Sequence, residues 1–332
     1  MHLHRTLALV IGCAMLAACG GDDGGSTPPP TGGGTPTPSP TPTPTPTPTL
    51  PTFATLTGDQ AFATACGATS GADVVQAQGF GRAEANTLRL SLDFADTPDT
   101  WRITGRSLTG EPIDTTFRPE DIDAASTFTN FTDYLRDPGT GFRNRLLLGD
   151  KPISGITRDY VRHFVHVVRP TSTSVSSTYF CTYGIPTPLT NPLPTSTISY
   201  TSFRVVGQAS INGGPMGGAY DLGESVITLT ANPATGDVVT RLQLTGRLQT
   251  PSGLSDTRVD IGTFNGTAAI DGTVQNYFAV LDGENRAITG VSNFGGWFFG
   301  PQGIEAGYGF SIQAALQTGE PLRIAGSVTA RR

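Results

Sequence analysis

The sequence is poor in charged residues and has almost no lysine. Charged side chains make up 14% of the 332 residues, against about 25% in ordinary soluble domains, and Lys151 is the sole lysine. Long amphipathic helices and coiled coils need charged faces, so this composition disfavours both. The formal net charge is −6, so there is no basic excess, and binding to DNA or RNA is not expected.

The sequence also lacks the common catalytic motifs. It contains no Gly-x-Ser-x-Gly, no His-Glu-x-x-His and no phosphate-binding loop, because Lys151 stands in Asp-Lys-Pro without the glycines that such a loop requires. A pair of glycosidase-like carboxylates stays open, since sequence alone cannot place the 27 acidic residues in space. No such pair stands out, and we expect a protein that is not an enzyme.

Patterns that bind metals are missing as well. No Cys-x-x-Cys or Cys/His cluster occurs, and His163 and His166 lie in a strand-like run between Tyr160 and Val168. Residues three apart on a strand point to opposite faces, so these two histidines cannot bind one metal ion together. We therefore expect ordinary strand histidines and no metal site. A role as haem ligand for one of them, or for a tyrosine, stays open.

What the sequence does contain begins with an export signal. His4 and Arg5 precede an apolar run over residues 6–18, which is too short to span a bilayer and has the length of a signal-peptide core. The run ends in Leu-Ala-Ala-Cys, which resembles a bacterial lipobox. Residues 1–18 are therefore predicted to be removed and Cys19 to be lipidated; an ordinary signal peptide with an incidental cysteine is the alternative. Lipoproteins of this type that remain at the inner membrane usually carry aspartate directly after the cysteine. Gly20 stands at that position here, so the resemblance implies the outer membrane.

Residues 19–52 are predicted to be the lipidated cysteine and a disordered linker rich in threonine and proline. From Thr35 to Thr49 proline occupies every second position, which removes backbone donors and holds φ near −65°. Such a segment cannot join a helix or a central strand, and it favours the extended polyproline conformation. The linker is expected to lift the folded part of the protein away from the membrane.

Two cysteines remain in the exported chain once Cys19 is lipidated. Cys66 and Cys181 form an even pair in an oxidising compartment, where disulfides persist. A disulfide between them is expected. Buried free thiols are the alternative, because sequence cannot show that the two Cβ atoms come within bonding range.

The folded region is predicted to be all β. Apolar residues alternate with polar ones, as at Leu88, Leu90, Leu92 and Phe94, and turns rich in glycine, proline and aspartate interrupt the pattern at short intervals. A proline-rich segment from Pro186 to Thr197 separates two parts, a β domain over residues 53–187 and a second domain over residues 198–332. The stretch from Phe117 to Leu135 is ambiguous and stays unassigned.

The second domain is expected to be a closed barrel. Its predicted strands lie near residues 200–209, 217–222, 225–231, 238–248, 262–270, 275–281, 296–299, 304–316 and 322–330. That number of short strands in about 133 residues suits an antiparallel barrel better than an α/β sheet. The row Phe264, Gly266, Ala268, Ile270 and Gly272 mixes large and small residues, as the tapering interior of a small barrel requires.

The most informative segment runs from Gly295 to Phe310. It resembles the signature of the transferrin-binding protein B family of surface lipoproteins, which the sequence matches at Gly296, Phe298, Phe299, Gly300, Pro301, Glu305, Gly307 and Phe310. Gly303 and Tyr308 depart from the usual alanine and glycine. The segment is interpreted as a hairpin with a tight turn at Gly300 and Pro301. The acid that follows, Glu305, is predicted to satisfy backbone donors in that turn.

The resemblance implies a β-rich handle domain followed by an eight-stranded antiparallel β-barrel. Tyr183 to Thr187 looks like the end of the handle in single-lobe relatives of the family, which are described as transferrin-binding-protein-like solute-binding proteins. Full transferrin-binding proteins have two such lobes, whereas this sequence has room for one. Binding of transferrin itself therefore stays open.

The resemblance also implies a function. It predicts an outer-membrane lipoprotein at the cell surface that binds a solute or protein ligand in iron or haem acquisition, without a cofactor of its own. The possible partners are an iron-carrying protein, haem or an outer-membrane transporter. The loops Gly213–Gly218 and Pro251–Asp256 are the candidate binding segments, while individual ligand contacts stay unknown. The alternative is a surface lipoprotein that interacts or shields without a small ligand; an embedded pore is disfavoured.

Overall fold

The structure is a computed structural model that describes residues 50–70, 73–78, 90–96, 99–106, 112–136, 142–149, 158–170 and 176–332. The export signal, Cys19 and most of the predicted linker lie outside these residues, as does Leu88. Within the described part, no helix is both long and apolar enough to cross a membrane. The prediction of an all-β protein is confirmed, since the described helices are two short 3₁₀ turns.

Among the described residues, the first half folds into a nine-stranded antiparallel sheet, here called the handle. Its strands are β1 (Gln60–Ser70), β2 (Asp73–Gln78), β3 (Leu90–Ala95), β4 (Thr100–Arg106), β5 (Pro112–Phe117), β6 (Thr132–Arg136), β7 (Phe142–Leu148), β8 (Val161–Pro170) and β9 (Ser177–Gly184). They pair in the order β5-β4-β3-β1-β9-β8-β7-β6, with β2 on β1. The unassigned stretch holds the end of β5, a 3₁₀ turn at Pro119–Asp121 and most of β6.

The handle sheet curls around its own apolar core. Leu90 and Leu92 face inward and are buried, as their alternation predicts. The two ends of the sheet approach each other, because Arg136 of β6 donates a hydrogen bond to the carbonyl oxygen of Thr116 in β5. Phe117 and Tyr134 pack across this gap, with their ring centroids 6.1 Å apart.

A disulfide joins the first and last strands of the handle. Cys66 of β1 lies directly opposite Cys181 of β9, and the two sulfur atoms are bonded. The bond closes a loop with a sequence separation of 115. In the chain-entropy model, closing a loop of this size lowers the conformational entropy of the unfolded state and stabilises the fold by about 5 kcal/mol. The two cysteines therefore hold together strands that are distant in sequence.

The second half forms a closed barrel. Its strands are β10 (Ile198–Tyr200), β11 (Ser202–Ile211), β12 (Gly218–Asp221), β13 (Val226–Asn232), β14 (Asp237–Thr250), β15 (Gly253–Asp271), β16 (Asn276–Val280), β17 (Asp282–Gly283), β18 (Ala287–Ile288), β19 (Asn293–Phe299), β20 (Glu305–Ala315) and β21 (Pro321–Arg331). Short neighbours continue one another, so β10 with β11, β12 with β13, β16 with β17 and β18 with β19 each count as one strand of the wall. The pairings β14–β15 and β11–β21 then close a ring of eight, as predicted.

Side chains fill the inside of the barrel. Among the buried residues are Phe264, Phe294, Tyr277, Tyr308 and Phe310, together with a full set of aliphatic side chains. The mixed row on β15 has a direct steric reason. A Cβ atom at Gly266 would lie 2.5 Å from Cε1 of Phe294, so the glycine makes room for that ring. The barrel is a packed core and not a channel.

The handle packs directly on the barrel wall formed by β19, β20 and β21, and glycines set the distance. A Cβ atom at Gly67 of β1 would lie 2.0 Å from the carbonyl oxygen of Phe310, and one at Gly309 of β20 would lie 2.3 Å from the carbonyl carbon of Cys66. Contacts under 3.0 Å are not tolerated by real Cβ atoms. The backbones of the two sheets therefore meet at a distance that only glycine permits. We call this contact region the seam.

Replacing Gly67 with alanine is expected to destabilise the protein by about 2 kcal/mol, because the added methyl group forces two backbones apart. Urea unfolding monitored by tryptophan fluorescence measures the loss. Gly272→Ala is the matched control, since its Cβ atom would meet no atom within 4 Å. Equal stability of the two variants would show that the close approach at the seam is unimportant.

Candidate functional site

Glu305 is the buried acid at the edge of the seam. It is the first residue of β20, and its relative exposure is 0%. Its carboxylate accepts hydrogen bonds from three backbone N–H groups: Asp159 to Oε1 at 3.0 Å, Tyr160 to Oε2 at 2.8 Å and Val161 to Oε2 at 2.9 Å. These groups belong to the handle, where β8 begins. One side chain of the barrel thus fixes the start of a handle strand.

This arrangement corrects the expected role of Glu305. The acid was expected to serve donors in its own turn, but that turn is closed by backbone bonds, from Gly303 N–H to the Gly300 oxygen at 3.4 Å and from Ile304 N–H to the Pro301 oxygen at 3.2 Å. Glu305 pairs with Arg331 on the neighbouring strand and lies on the outer face of the wall. Its side chain therefore serves the handle.

Cations balance the buried charge of Glu305. The Arg331 guanidinium lies 3.5 Å from Glu305 Oε1 and 2.9 Å from Asp159 Oδ2. Burial raises the pKa of the Glu305 carboxyl above its ordinary value, while the three backbone N–H donors and the charge of Arg158 act in the opposite direction. The site holds a carboxylate where water is excluded, and its chemistry is that of a structural anchor.

The other residues of the signature divide between the barrel interior and the seam. Phe298 and Phe310 are buried inside the barrel, whereas Phe299 packs with Tyr160 and Val161 of the handle. Gly300 adopts a left-handed conformation with φ of 70°, and a Cβ atom there would lie 2.4 Å from Cδ2 of Tyr160. The signature is therefore a structural element that joins the two sheets.

The end of the handle is fastened to the same hairpin. Thr187 donates its hydroxyl to the carbonyl oxygen of Gly300 at 2.7 Å and its backbone N–H to the Phe298 oxygen at 2.9 Å. Tyr183 lies in the handle core. The segment from Tyr183 to Thr187 leads from that core to the barrel, where the resemblance places the end of the handle.

The two histidines of β8 point to opposite faces, as their spacing predicts. His163 faces the barrel, with Nδ1 2.9 Å from Ser327 Oγ and Nε2 3.1 Å from Thr329 Oγ1. His166 lies in the handle between Phe117 and Tyr179, with Nδ1 3.2 Å from the carbonyl oxygen of Arg145. Burial lowers the pKa of both, that of His166 to about 4, so both rings are neutral at pH 7.

No group of three or more His, Cys, Asp or Glu side chains that could hold a metal ion occurs among the described residues. The histidines do not converge, and the two cysteines are bonded to each other.

Both candidate loops lie at one end of the barrel, here called the distal end. Gly213–Gly218 follows β11, and Pro251–Asp256 covers the turn between β14 and β15 with the start of β15. Tyr220 of β12 is paired with Leu248 near the end of β14, which brings the two loops side by side. The antiparallel order puts the Gly300–Gly303 turn at the opposite end, where Leu50 packs with Phe299. We call this the entry end.

Ion pairs and hydrogen bonds hold the distal end in shape. Glu224 accepts hydrogen bonds from Arg247 and Arg258, and Arg247 also lies 3.5 Å from Asp256. The Tyr220 hydroxyl donates to the carbonyl oxygen of Met216 at 2.7 Å and anchors the first loop. Leu254, in the second loop at the start of β15, is 44% exposed. The distal end thus presents an ordered polar rim with an exposed apolar side chain.

The handle also carries a shallow groove of about 370 Å³ on β1, β3 and β4. Its charged side chains already have partners. Arg102 donates two hydrogen bonds to the Asp114 carboxylate, at 2.8 and 2.7 Å, and Asp59 accepts the backbone N–H of Asp96 at 3.0 Å. Among the described residues, the groove therefore offers no unpaired charged side chain to a ligand. Sequence analysis did not single it out, since it forms only when β3 is paired with both neighbours.

No protein-family model matches the sequence, and no curated protein matches it. Solved structures to which the chain is similar include transferrin binding proteins B. One is a variant from Haemophilus parasuis Hp5, with a TM-score of 0.37, 9% identity and coverage of 73% of this chain and 54% of that one. Another, from serogroup B Neisseria meningitidis, has a TM-score of 0.35, 11% identity and coverage of 83% and 66%.

A third, the intact Ap-TbpB with N and C lobes, has a TM-score of 0.38 and 9% identity, and the match covers 76% of this chain and 57% of that one. The chain therefore spans between about half and two thirds of the length of these proteins. Identities this low concern the fold alone. The TM-scores are below 0.5, and the fold is defined by the chain's own strand pairings.

Replacing Glu305 with glutamine is expected to lower the free energy of unfolding by about 2 kcal/mol, because an amide has one acceptor oxygen where the carboxylate uses two. Urea unfolding at pH 7 measures the change. Glu284→Gln is the control, since Glu284 forms an exposed pair with Arg241 on the barrel surface. A Glu305 variant as stable as that control would rule out the anchoring role.

The neutral state of His166 predicts a pH dependence of stability. Its pKa is lowered in the folded protein, so below pH 6.5 the unfolded chain takes up a proton that the folded chain does not. The contribution of His166 to the free energy of unfolding is therefore fully present above pH 6.5 and is lost as the pH falls towards 4. Between pH 7 and pH 5 the His166 contribution is about 2 kcal/mol. Urea unfolding of the parent protein and of His166→Gln at the two pH values measures this contribution. Between pH 7 and pH 5 the variant should lose about 2 kcal/mol less free energy of unfolding than the parent. Equal losses would contradict the assignment.

Proposed function

We propose that this protein is a non-enzymatic lipoprotein, anchored through Cys19 to the outer membrane and exposed at the cell surface, that binds a solute or protein ligand. The observation that carries the proposal is the filled barrel with both candidate loops at its distal end. A packed interior leaves no lumen for a ligand, so recognition falls to the surface loops.

The point at which the chain enters the folded part supports an orientation in which the distal end faces away from the membrane. Leu50, the first described residue, packs beside Phe299 at the entry end. A linker that precedes Leu50 would attach the barrel to the membrane by that end. The loops Gly213–Gly218 and Pro251–Asp256 would then face away from the membrane, where a ligand from outside can reach them.

We infer an iron source as the ligand, because the similar solved proteins carry transferrin binding in their name. The candidates are an iron-carrying protein or haem, passed on to an outer-membrane transporter, and the protein would need no cofactor of its own. The alternative is a surface lipoprotein that interacts with other proteins or shields the cell. The mutual pairing of Glu224, Arg247 and Arg258 favours this alternative, since it leaves few charges to hold a small ligand.

The first test is a titration of the purified protein with haem, followed by absorbance, and with iron-loaded transferrin, followed by surface plasmon resonance. Saturable binding of either supports the capture of an iron source. Absence of both, with binding of an envelope protein instead, supports the alternative.

The two barrel ends offer a matched pair of substitutions. Leu254, at the start of β15 near the distal end, and Val274, in the turn at the opposite end, are both 44% exposed. If binding occurs at the distal end, Leu254→Asp should weaken the haem or transferrin complex by about tenfold or more, because a charge in an interface centre is poorly tolerated. Val274→Asp should leave the affinity unchanged. The reverse order of effects would place the binding surface elsewhere.

A further inference from the structure

Two arginines, Arg158 and Arg204, approach each other where the handle meets β11. The nearest acid, Glu305, acts on Arg158 but already accepts three backbone N–H groups, so the arginines outnumber the acids here. Arg204 lies on β11, on the same face of the strand as Ser202, since residues two apart point the same way. Arg158 comes from the handle, just before β8, and donates its Nη2 to the carbonyl oxygen of Ser202 at 2.9 Å and to its Oγ at 3.3 Å. Ser202 thus brings the two guanidinium groups into one neighbourhood.

Both guanidinium groups keep unused donors. Nη1 of Arg158 is fully buried and has no hydrogen-bond partner. Arg204 is partly buried and has no hydrogen bond or ion pair within the described part of the chain; its guanidinium lies over the ring of Phe131, 5.5 Å from the centroid. Buried donors without partners are costly, so a ligand that accepts from them gains that energy.

The acids nearby are already engaged. Glu305 accepts three backbone N–H groups, and Asp159 is paired with Arg331. His163 adds no charge, because burial and the two arginines lower its pKa well below the ordinary value. Burial and, after it, repulsion from Arg158 lower the pKa of Arg204 to about 10. The neighbourhood therefore carries an excess of positive charge in a protein whose overall charge is −6.

We propose that the seam is an oxyanion-binding site, in which Arg158 and Arg204 together hold a phosphate group beside Ser202. A guanidinium presents its N–H donors in a planar fork that fits the oxygens of a phosphate, and two forks with one anion cancel their mutual repulsion. The anion would contact the handle through Arg158 and the barrel through Arg204. The site is separate from the distal end and does not depend on the ligand bound there.

A free phosphate ion and the headgroup of a phospholipid share this chemistry. Two arms of one experiment distinguish them. In the first, the full chain is titrated with sodium phosphate at constant ionic strength, with sodium chloride as the reference salt, and calorimetry and melting temperature are recorded. In the second, sedimentation with phosphatidylglycerol vesicles is compared with sedimentation with phosphatidylcholine vesicles. Each arm includes Arg204→Gln, Arg204→Lys and the control Arg258→Gln on the distal end.

The proposal expects saturable phosphate binding, or selective binding to phosphatidylglycerol, with at least about tenfold weaker affinity in Arg204→Gln and an intermediate affinity in Arg204→Lys. The control Arg258→Gln should bind like the unsubstituted chain. Without phosphate, Arg204→Gln should melt no lower than the parent protein, because the substitution removes a repulsion; this result also shows that the variant folds. Absence of binding in both arms, or equal binding by Arg204→Gln, would overturn the proposal.

Discussion

The structure depends on a buried carboxylate that reaches from one sheet to the other. Glu305 starts a barrel strand, yet its hydrogen bonds go to Asp159, Tyr160 and Val161 at the start of a handle strand. A carboxylate removed from water is costly unless donors and cations replace the lost solvent. Here the three N–H donors come from the other sheet and Arg331 of the barrel supplies a cation, so the charge is fully compensated only when handle and barrel are joined. The same residue therefore couples the folding of both halves.

Close packing of the two backbones also joins handle and barrel, through steric fit instead of charge. At Gly67 and Gly309 the two sheets approach until a single methyl group would collide with the opposite main chain. The signature hairpin lies at the border of this contact and places Phe299 and Gly300 against the handle. Its residues are explained by packing and backbone geometry. The signature therefore affects function indirectly, through the contact between handle and barrel that it maintains.

Much of the fold could be predicted from sequence because alternation is a local property. The strand expected near residues 238–248 runs from Asp237 to Thr250, and the row on β15 with Gly266 is mixed in size because it faces Phe294. The partner of Glu305 could not be predicted, since it depends on which sheet covers the outer face of β20. The meeting of Arg158 with Arg204 is likewise invisible in sequence, because 46 positions separate them and only the packed seam brings them together.

The closing pair of the barrel has a consequence for the order of events during folding. The ring is complete only when β21, the last strand, pairs with β11, which lies more than 100 residues earlier in the chain. The handle also needs this strand, because β21 carries Ser327, Thr329 and Arg331 at the seam. Long-range pairing of this kind makes folding slow. The native structure therefore forms after β21 has emerged, and the link between Cys66 and Cys181 can form while the barrel is still open.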